Sequence, residues 1–386
     1  MSSPSGPAAV AAEDRAHMRA ALALARRHGG ETWPNPSVGC VIVKEGRVVG
    51  RAATAIEGRP HAEPQALAMA GSAARGASAY VTLEPCCHHG QTPPCTDVLI
   101  EAGIARVVIG ARDPDPRVDG AGAAMLEAAG IAVTRDVLAE EARAAIAGFA
   151  SRILRGRPLV TLKLASTLDG RIATRAGDSR WISGAAARRA AHGLRGRHDA
   201  VMVGVGTVLA DDPDLTCRLP GYRHRPVVRV VADSHLRTPL TARLVATART
   251  APTWVLVRPD TDRARHLAFT EAGVTVIETK PAEMGVDPAI ALAALGAAGL
   301  NQILVEGGGQ LAASLLRADL VDRLAWFHAP SVMGGDGWPA AAGFGVDRLE
   351  TMAHFRRVQV QPLGEDLLSL FVRADETAQG GGAKEG

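Results

Sequence analysis

Short apolar runs bounded by turn residues alternate along this chain with stretches in which Ala, Leu and Met recur at helical spacing. Glu13 to Arg27 has that spacing, with Arg15, Arg19, Arg26 and Arg27 on the other faces, and predicts a helix. The two prolines of Thr32-Trp33-Pro34-Asn35-Pro36 end it. The run Val38 to Val43 predicts a strand, turned at Glu45-Gly46 into a second one at Arg47 to Gly50. A helix over Ala62 to Ala74, a strand over Ala79 to Leu83, a helix over Cys95 to Ala102 and a strand over Arg106 to Gly110 follow. This alternation predicts a three-layer α/β domain ending near residue 150. Ala142 to Leu154 predicts one amphipathic helix, and Arg155-Gly156-Arg157-Pro158 punctuates it before the strand Leu159 to Ala165. Beyond that boundary the apolar runs Ala200 to Val205, Val227 to Ala232, Trp254 to Val257 and Gln302 to Glu306 predict a mostly parallel sheet covered on both faces. Leu367 to Val372 reads as a final strand, and the polar, Gly-rich tail from Ala374 as disordered.

Composition narrows the picture. With 386 residues the chain is too long for one ordinary core, so two domains are expected. Its 43 basic and 40 acidic residues nearly cancel, and aromatics make up 3%, which gives neither a basic surface nor a stacking platform for nucleic acid. No apolar run approaches the roughly 20 residues needed to span a bilayer. The N-terminal stretch lacks the basic and apolar regions of a secretory signal, so a cytoplasmic location is expected. Of five cysteines, three crowd into residues 86–95, a pattern suited to a metal site in a reducing compartment. Cys40, inside an apolar run, reads as a small core residue.

The chemistry concentrates in His61-Ala62-Glu63 and in Pro85-Cys86-Cys87-His88-His89-Gly90-Gln91-Thr92-Pro93-Pro94-Cys95. One imidazole and two thiolates make three zinc ligands, and a catalytic zinc site holds three and keeps the fourth position for water. His61, Cys86 and Cys95 are the expected ligands of Zn2+, and Glu63 the expected proton carrier. The arrangement H-x-E…P-C…C is the signature of zinc-dependent deaminases. Starting a helix at Ala62 would point His61 and Glu63 into a common cavity, and a thiolate at a helix start has a depressed pKa that favours metal binding.

The spacing between the two cysteines is wider than the C-x-x-C of many deaminases. Together with Asn35-Pro36-Ser37-Val38-Gly39 and His61-Ala62-Glu63, the loop from Pro85 to Cys95 resembles the deaminase half of the bifunctional riboflavin-biosynthesis deaminase/reductase family. The resemblance implies that this loop covers a phosphorylated pyrimidine nucleotide and that Asn35 and His88 touch it. Three positions depart from the family pattern: Cys87 stands where Ser is frequent, Gln91 where a basic residue is common, and Thr54 where some members carry His. The extra thiol competes for ligand assignment, and the other two changes are expected to weaken phosphate binding.

In the second half, Glu306-Gly307-Gly308-Gly309-Gln310-Leu311 follows a strand and opens a helix, an arrangement whose bare N–H groups attract phosphate. Taken with Lys163 to Gly170, Ser179 to Ser183 and Gly204 to Arg218, it resembles the reductase half of the same family, and the order of motifs is preserved over residues 13–373. The resemblance implies a cytidine-deaminase-like three-layer α/β/α domain over residues 13–150 and a dihydrofolate-reductase-like α/β domain over residues 157–375. It further implies NADPH held by Ala165, Trp181, Thr207, Asp211, Ser234 and the segment from Gly308 and Gly309 to Ser314. Substrate contacts would fall on Ser179, Arg195, Leu215, Arg218 and Glu306, with Arg195 and Arg218 best suited to grip a phosphate bidentately. Lys163 and Asp169 are expected to orient the substrate. The implied activity is deamination of 2,5-diamino-6-(ribosylamino)pyrimidinone 5′-phosphate followed by reduction of its ribosyl group to ribityl. Small phosphorylated pyrimidines are thus the expected partners, with no nucleic acid or membrane, and a homo-oligomer is the expected assembly. Two other readings stay open on the sequence: a nucleic-acid-editing deaminase, which salt-dependent RNA binding would support, and a structural zinc protein, in which Glu63 would be dispensable.

Overall fold

The computed structural model describes residues 7–179, 182–280 and 285–374. Trp181 and the tail beyond Ala374, both assigned a part above, lie outside the described residues. The chain divides into two compact units, Met1–Arg157 with Gly299–Asn301, and Pro158–Ala298 with Gln302–Gly386.

The first unit runs α1 (Pro7–Ala25), β1 (Gly39–Lys44), β2 (Arg47–Ala53), α2 (Ala62–Ala70), β3 (Ser78–Leu83), α3 (Cys95–Glu101), β4 (Arg106–Ala111), α4 (Ala121–Ala128), β5 (Ala132–Thr134), α5 (Ala139–Ala145) and α6 (Ala147–Arg155). Its sheet has the order β2-β1-β3-β4-β5. β1 pairs antiparallel with β2 and β3, while β3, β4 and β5 are parallel. The β1–β2 hairpin turns at Glu45 and Gly46, both with positive φ (50° and 73°), which matches the right-handed twist of its strands. Helices α1 and α5 pack on one face and α2, α3 and α4 on the other. The core is continuous from Met18 and Leu22 through Val41, Ile42 and Val81 to Leu126.

Two glycines allow α2 to close on β2 and α4 to close on the loop after β3. A Cβ at Gly50 on β2 would lie 2.2 Å from the Ala66 carbonyl oxygen of α2, and one at Gly122 on α4 would lie 2.1 Å from the Pro85 carbonyl oxygen. No larger residue allows such an approach. The stretch read as a single helix over Ala142 to Leu154 is instead two, α5 and α6. The chain leaves helical dihedrals at Ile146 (φ −104°, ψ 8°), whose side chain is drawn into the core.

The second unit continues with β6 (Leu159–Ser166), β7 (Arg171–Ala173), α7 (Ala185–Arg197), β8 (Ala200–Gly204), α8 (Val205–Asp211), β9 (Val228–Ala232), α9 (Arg243–Ala246), β10 (Thr253–Val257), α10 (Arg263–Glu271), β11 (Thr275–Glu278), α11 (Pro288–Ala297), β12 (Gln302–Glu306), α12 (Gly309–Arg317), β13 (Arg323–His328), β14 (Trp338–Pro339), β15 (Phe355–Leu363) and β16 (Asp366–Arg373). Nine strands form one sheet in the order β11-β10-β9-β8-β12-β6-β13-β16-β15. The seven from β11 to β13 are mutually parallel, and β16 and β15 add antiparallel. Five of the seven parallel strands, β6, β8, β9, β10 and β12, are the near-continuous apolar runs seen in the sequence, as burial on both faces requires; β11 and β13 are not marked as strands by that pattern. β15 (Phe-Arg-Arg-Val-Gln-Val-Gln-Pro-Leu) is largely solvent-facing and is fixed as a strand by pairing with β16.

Candidate active sites

In the first unit, His61 occupies the N-cap of α2, with extended dihedrals (φ −65°, ψ 168°) that turn its ring off the helix axis. Cys95 is the first residue of α3. Cys86 lies in the loop after β3, tied to α3 because the Cys95 N–H donates to its Sγ at 3.4 Å. Nδ1 of His61 stands 3.3 Å from Sγ of Cys95 and 3.8 Å from Sγ of Cys86. The three ligand atoms lie within 4.8 Å of one another, and among the described residues no other group of His, Cys, Asp and Glu side chains gathers so. The Cys86 thiol is pulled down to about 4, first by the hydrogen bond from Cys95 and also by His61, whereas the same bond pushes Cys95 up. A nitrogen and two sulfurs at this spacing fit Zn2+, whose charge would let both ionise.

Glu63, on the first turn of α2, is buried with 4% of its surface exposed. Burial pushes its carboxyl up and the neighbouring His61 partly offsets this. A cavity of about 480 Å³ opens over this cluster. Asn35, His88, Gln91, Asp113 and Glu84 line it together with His61, Glu63 and Cys86. Asn35 is held by donation from Nδ2 to the Gly58 carbonyl at 2.8 Å. Nδ1 of His88 is buried and has no hydrogen-bond partner among the described residues, which suits a group that meets a ligand. Glu84 accepts from the N–H groups of Gly120 and Ala123, each at 3.0 Å, and so fixes the start of α4.

Asp113 was not marked in the sequence reading. It follows β4, is 7% exposed and is pushed up to about 7, chiefly by burial. The available signal was the run Asp113-Pro114-Asp115-Pro116-Arg117 directly after a buried parallel strand, where α/β sheets place ligands. Two of the three departures take on other meanings. Cys87 points its Sγ to the Arg117 carbonyl at 3.6 Å and is not among the gathered ligands. Thr54 is buried, and its hydroxyl accepts from the Val38 N–H at 2.9 Å, so it serves the backbone.

In the second unit the expected residues collect at one edge of the sheet. Ala165, Thr207, Ser234, Glu306, Gly308 and Gly309 sit at or just beyond the C-terminal ends of β6, β8, β9 and β12, which are adjacent and parallel. That edge is where open parallel sheets bind ligands. Gly307 (φ 88°) and Gly308 (φ 65°) turn the chain into α12, and a Cβ at Gly307 would lie 3.0 Å from Oγ1 of Thr207, so the two motifs meet. Glu306 and Lys163 are register partners on β12 and β6. Burial pulls the Lys163 ammonium down while Glu306 partly offsets it.

Three of the expected residues have partners within the protein. Nε and Nη2 of Arg195 donate to the two carboxylate oxygens of Glu306 at 2.6 and 2.9 Å, and its Nη1 donates to the Thr216 carbonyl. Burial alone would raise Glu306, yet the Arg195 charge and these bonds hold it at about 2. Leu215 is buried in the core at φ 52°. Asp169 accepts from Thr167 Oγ1 and from the Met333 and Gly334 N–H groups, which makes it a tie between two loops. Arg218 is exposed and paired with Asp214 at 3.2 Å, while Ser179 and Asp211 are exposed.

Two sequence families match the chain: the cytidine and deoxycytidylate deaminase zinc-binding region over residues 11–111, and the RibD C-terminal domain over residues 158–369. The riboflavin biosynthesis protein RibD of Aquifex aeolicus is 42% identical over 360 residues, 93% of this chain and 98% of that protein. The chain belongs to the RibD family. Two solved members share its fold across both units. RibD of Acinetobacter baumannii superposes with a TM-score of 0.85 at 33% identity, covering 95% of this chain and 100% of that one. A diaminohydroxyphosphoribosylaminopyrimidine deaminase/5-amino-6-(5-phosphoribosylamino)uracil reductase of Thermotoga maritima gives 0.83 at 33% identity, with the same coverage. As a RibD family member the chain is a bifunctional riboflavin-biosynthesis enzyme, a zinc-dependent deaminase joined to an NADPH-dependent reductase. The editing and structural-zinc readings fall with that assignment.

Proposed function

We propose that residues 13–150 deaminate 2,5-diamino-6-(ribosylamino)pyrimidinone 5′-phosphate and that residues 157–375 then reduce its ribosyl group to ribityl. The observation that carries the first step is the gathering of His61, Cys86 and Cys95 beneath a cavity with Glu63 buried beside them. Those three residues would hold zinc, which supplies Lewis acidity that brings water to a pKa near ~7. Glu63 takes a proton from the water that adds at C2 and returns it to the ring nitrogen. It then carries the water's second proton to the departing amine, so that one water is consumed and one ammonia leaves. Its raised pKa suits a group that must both accept and give that proton. His88 Nδ1, Asn35 and Asp113 present hydrogen-bonding groups for the edge of the pyrimidine.

For the second step NADPH supplies a hydride to C1′ of the ribosyl group, and the protein's part is orientation. Thr207 and the Gly308–Gly309 turn meet at one sheet edge, where the first turn of α12 offers N–H groups to the cofactor's phosphates. Ala165, Asp211 and Ser234 complete the cofactor's side. Glu306, clamped by Arg195 and next to Lys163, presents a fixed carboxylate to the sugar hydroxyls. Arg218, Ser179 and the Leu215 backbone stand on the substrate side.

The test mixes purified full-length protein, the diaminopyrimidine nucleotide and NADPH. The expected result is one ammonia released and one NADPH oxidised per substrate. Ammonia without loss of NADPH absorbance would refute the reading of the second unit, and neither signal would refute both.

A further inference from the structure

On the functional reading above, the cavity of the first unit receives a nucleotide whose phosphate carries nearly two negative charges at neutral pH. Its wall is rich in carboxyls: Glu63, Glu84, Asp113 and Asp115 all line it. None of these offers a counter-charge, so a phosphate dianion needs a cation on the same wall. Three arginines are available, namely Arg59, Arg117 and Arg152.

Two of them are engaged. Nε of Arg117 donates to both carboxylate oxygens of Asp115 at 3.0 and 3.1 Å, and Nη2 adds a third bond, so its charge is cancelled where it sits. Arg152 also has neutral partners but engages two of its nitrogens, donating from Nη2 to the Pro34 carbonyl at 2.8 Å and from Nε to Oδ1 of Asn301 at 2.7 Å. Arg59 differs. Its one hydrogen bond among the described residues runs from Nη1 to the hydroxyl of Thr92 at 2.8 Å, a neutral partner. Its Nη2 lies beside Gly90, where a Cβ would stand 3.6 Å away. Gly90 and Thr92 belong to the loop that joins the two cysteines of the metal cluster. Arg59 also precedes His61 by two residues, so the start of α2 fixes its place relative to that cluster. A half-buried guanidinium with spare donors, aligned by a hydroxyl and facing a carboxyl-lined cavity, is the natural seat for a phosphate.

We propose that Arg59 is the positioning residue that holds the substrate's 5′-phosphate in the deaminase cavity, with Thr92 aligning its guanidinium. The proposal rests on the functional reading above and assigns a role within it. It also explains how the site works with Gln91, an uncharged residue, on the same wall.

The experiment uses the zinc-loaded full-length chain and measures ammonia release from the diaminopyrimidine nucleotide and from the corresponding nucleoside. For wild type, the ratio of the two KM values reports how much the phosphate contributes. Arg59→Ala is expected to cut that ratio by roughly 30-fold through KM for the nucleotide, about 2 kcal/mol at 1.4 kcal/mol per tenfold, while kcat moves far less. Arg59→Gln keeps a hydrogen bond to Thr92 but no charge and is expected to lose the same preference, whereas Arg59→Lys recovers part of it. Zinc content and NADPH oxidation with already deaminated substrate establish that each variant is folded. If the nucleotide preference survives in Arg59→Ala and Arg59→Gln, or if both KM values rise together, the assignment is overturned. If wild type itself releases no ammonia from the nucleotide, the functional reading fails first and takes this assignment with it.

Discussion

The two units solve the problem of placing charge in opposite ways. In the first, the reactive groups have few partners of their own: three metal-binding atoms crowd within 4.8 Å, His88 Nδ1 is buried unbonded, and Arg59 has donors to spare. In the second, charge is already balanced, with Arg195 and Glu306 locked in a two-pronged pair. A site that takes up a dication can leave its acidic side chains unpaired, because the metal satisfies them. A site that orients a cofactor and a sugar keeps its groups rigid by pairing them, and leaves the turn before a helix to meet phosphate. The contrast teaches that unsatisfied groups mark where a ligand's charge will go, and satisfied ones mark where its shape is read.

The sharpest way to break this comparison is Glu63→Gln. It is expected to lower kcat for ammonia release by about 10³-fold, within the range of general acid–base catalysis. Zinc content and reduction of already deaminated substrate are expected to stay at wild-type levels. Loss of both activities together would mean that the units do not work as separate sites.

A second experiment addresses the paired site. Glu306→Ala leaves the Arg195 guanidinium buried without its partner, and removal of one member of such a pair costs about 3–5 kcal/mol. The expected result is a lowered midpoint for unfolding of the second unit in a denaturant titration, together with lost NADPH oxidation, while ammonia release persists. An unchanged midpoint would show that the pair is not a fixed element. The same carboxylate gives a pH signature. Its folded pKa of about 2 lies below the usual range, so its contribution is present above ~4.3 and is lost as pH falls through about 2.

The smallest effect concerns Asp113, whose shift has the opposite sign. Burial holds it at about 7 in the folded chain against ~3.9 when unfolded. Its protonated form is the one the fold favours, so stability is complete below ~3.9 and declines as pH rises through about 7. Asp113→Asn is expected to remove that decline, by about 1–2 kcal/mol between pH 5 and 8 at 1.36 kcal/mol per unit, with screening and relaxation reducing the full shift. Unfolding midpoints of wild type and variant across that interval check it, and parallel slopes would show that Asp113 is already charged.

Much of the first site was legible because a metal demands particular atoms. Imidazole and thiolate are scarce side chains, and His61, Cys86 and Cys95 declare their chemistry wherever the chain brings them together. The second site was legible chiefly through resemblance, because a glycine turn such as Gly307–Gly308 and a pair such as Arg195–Glu306 have many uses elsewhere in proteins. That limit hid the pairing of Arg195 with Glu306, because the partner lies 111 positions away, on another element.

The sequence by itself determined the layered α/β architecture and the residues of the metal cluster. Each of these is written in local periodicity, in breaking residues or in side-chain chemistry. The tertiary structure alone decided that α5 and α6 part at Ile146, that β15 is a strand, and that Arg229, fully buried, donates to the carbonyls of Leu244, Thr247 and Ala251. It also decided which of three arginines is left with a single hydrogen bond among the described residues and which carboxyl burial pushes up to about 7. These depend on what distant segments bring alongside, and a polar group's role is set by the partners it finds once the chain has folded.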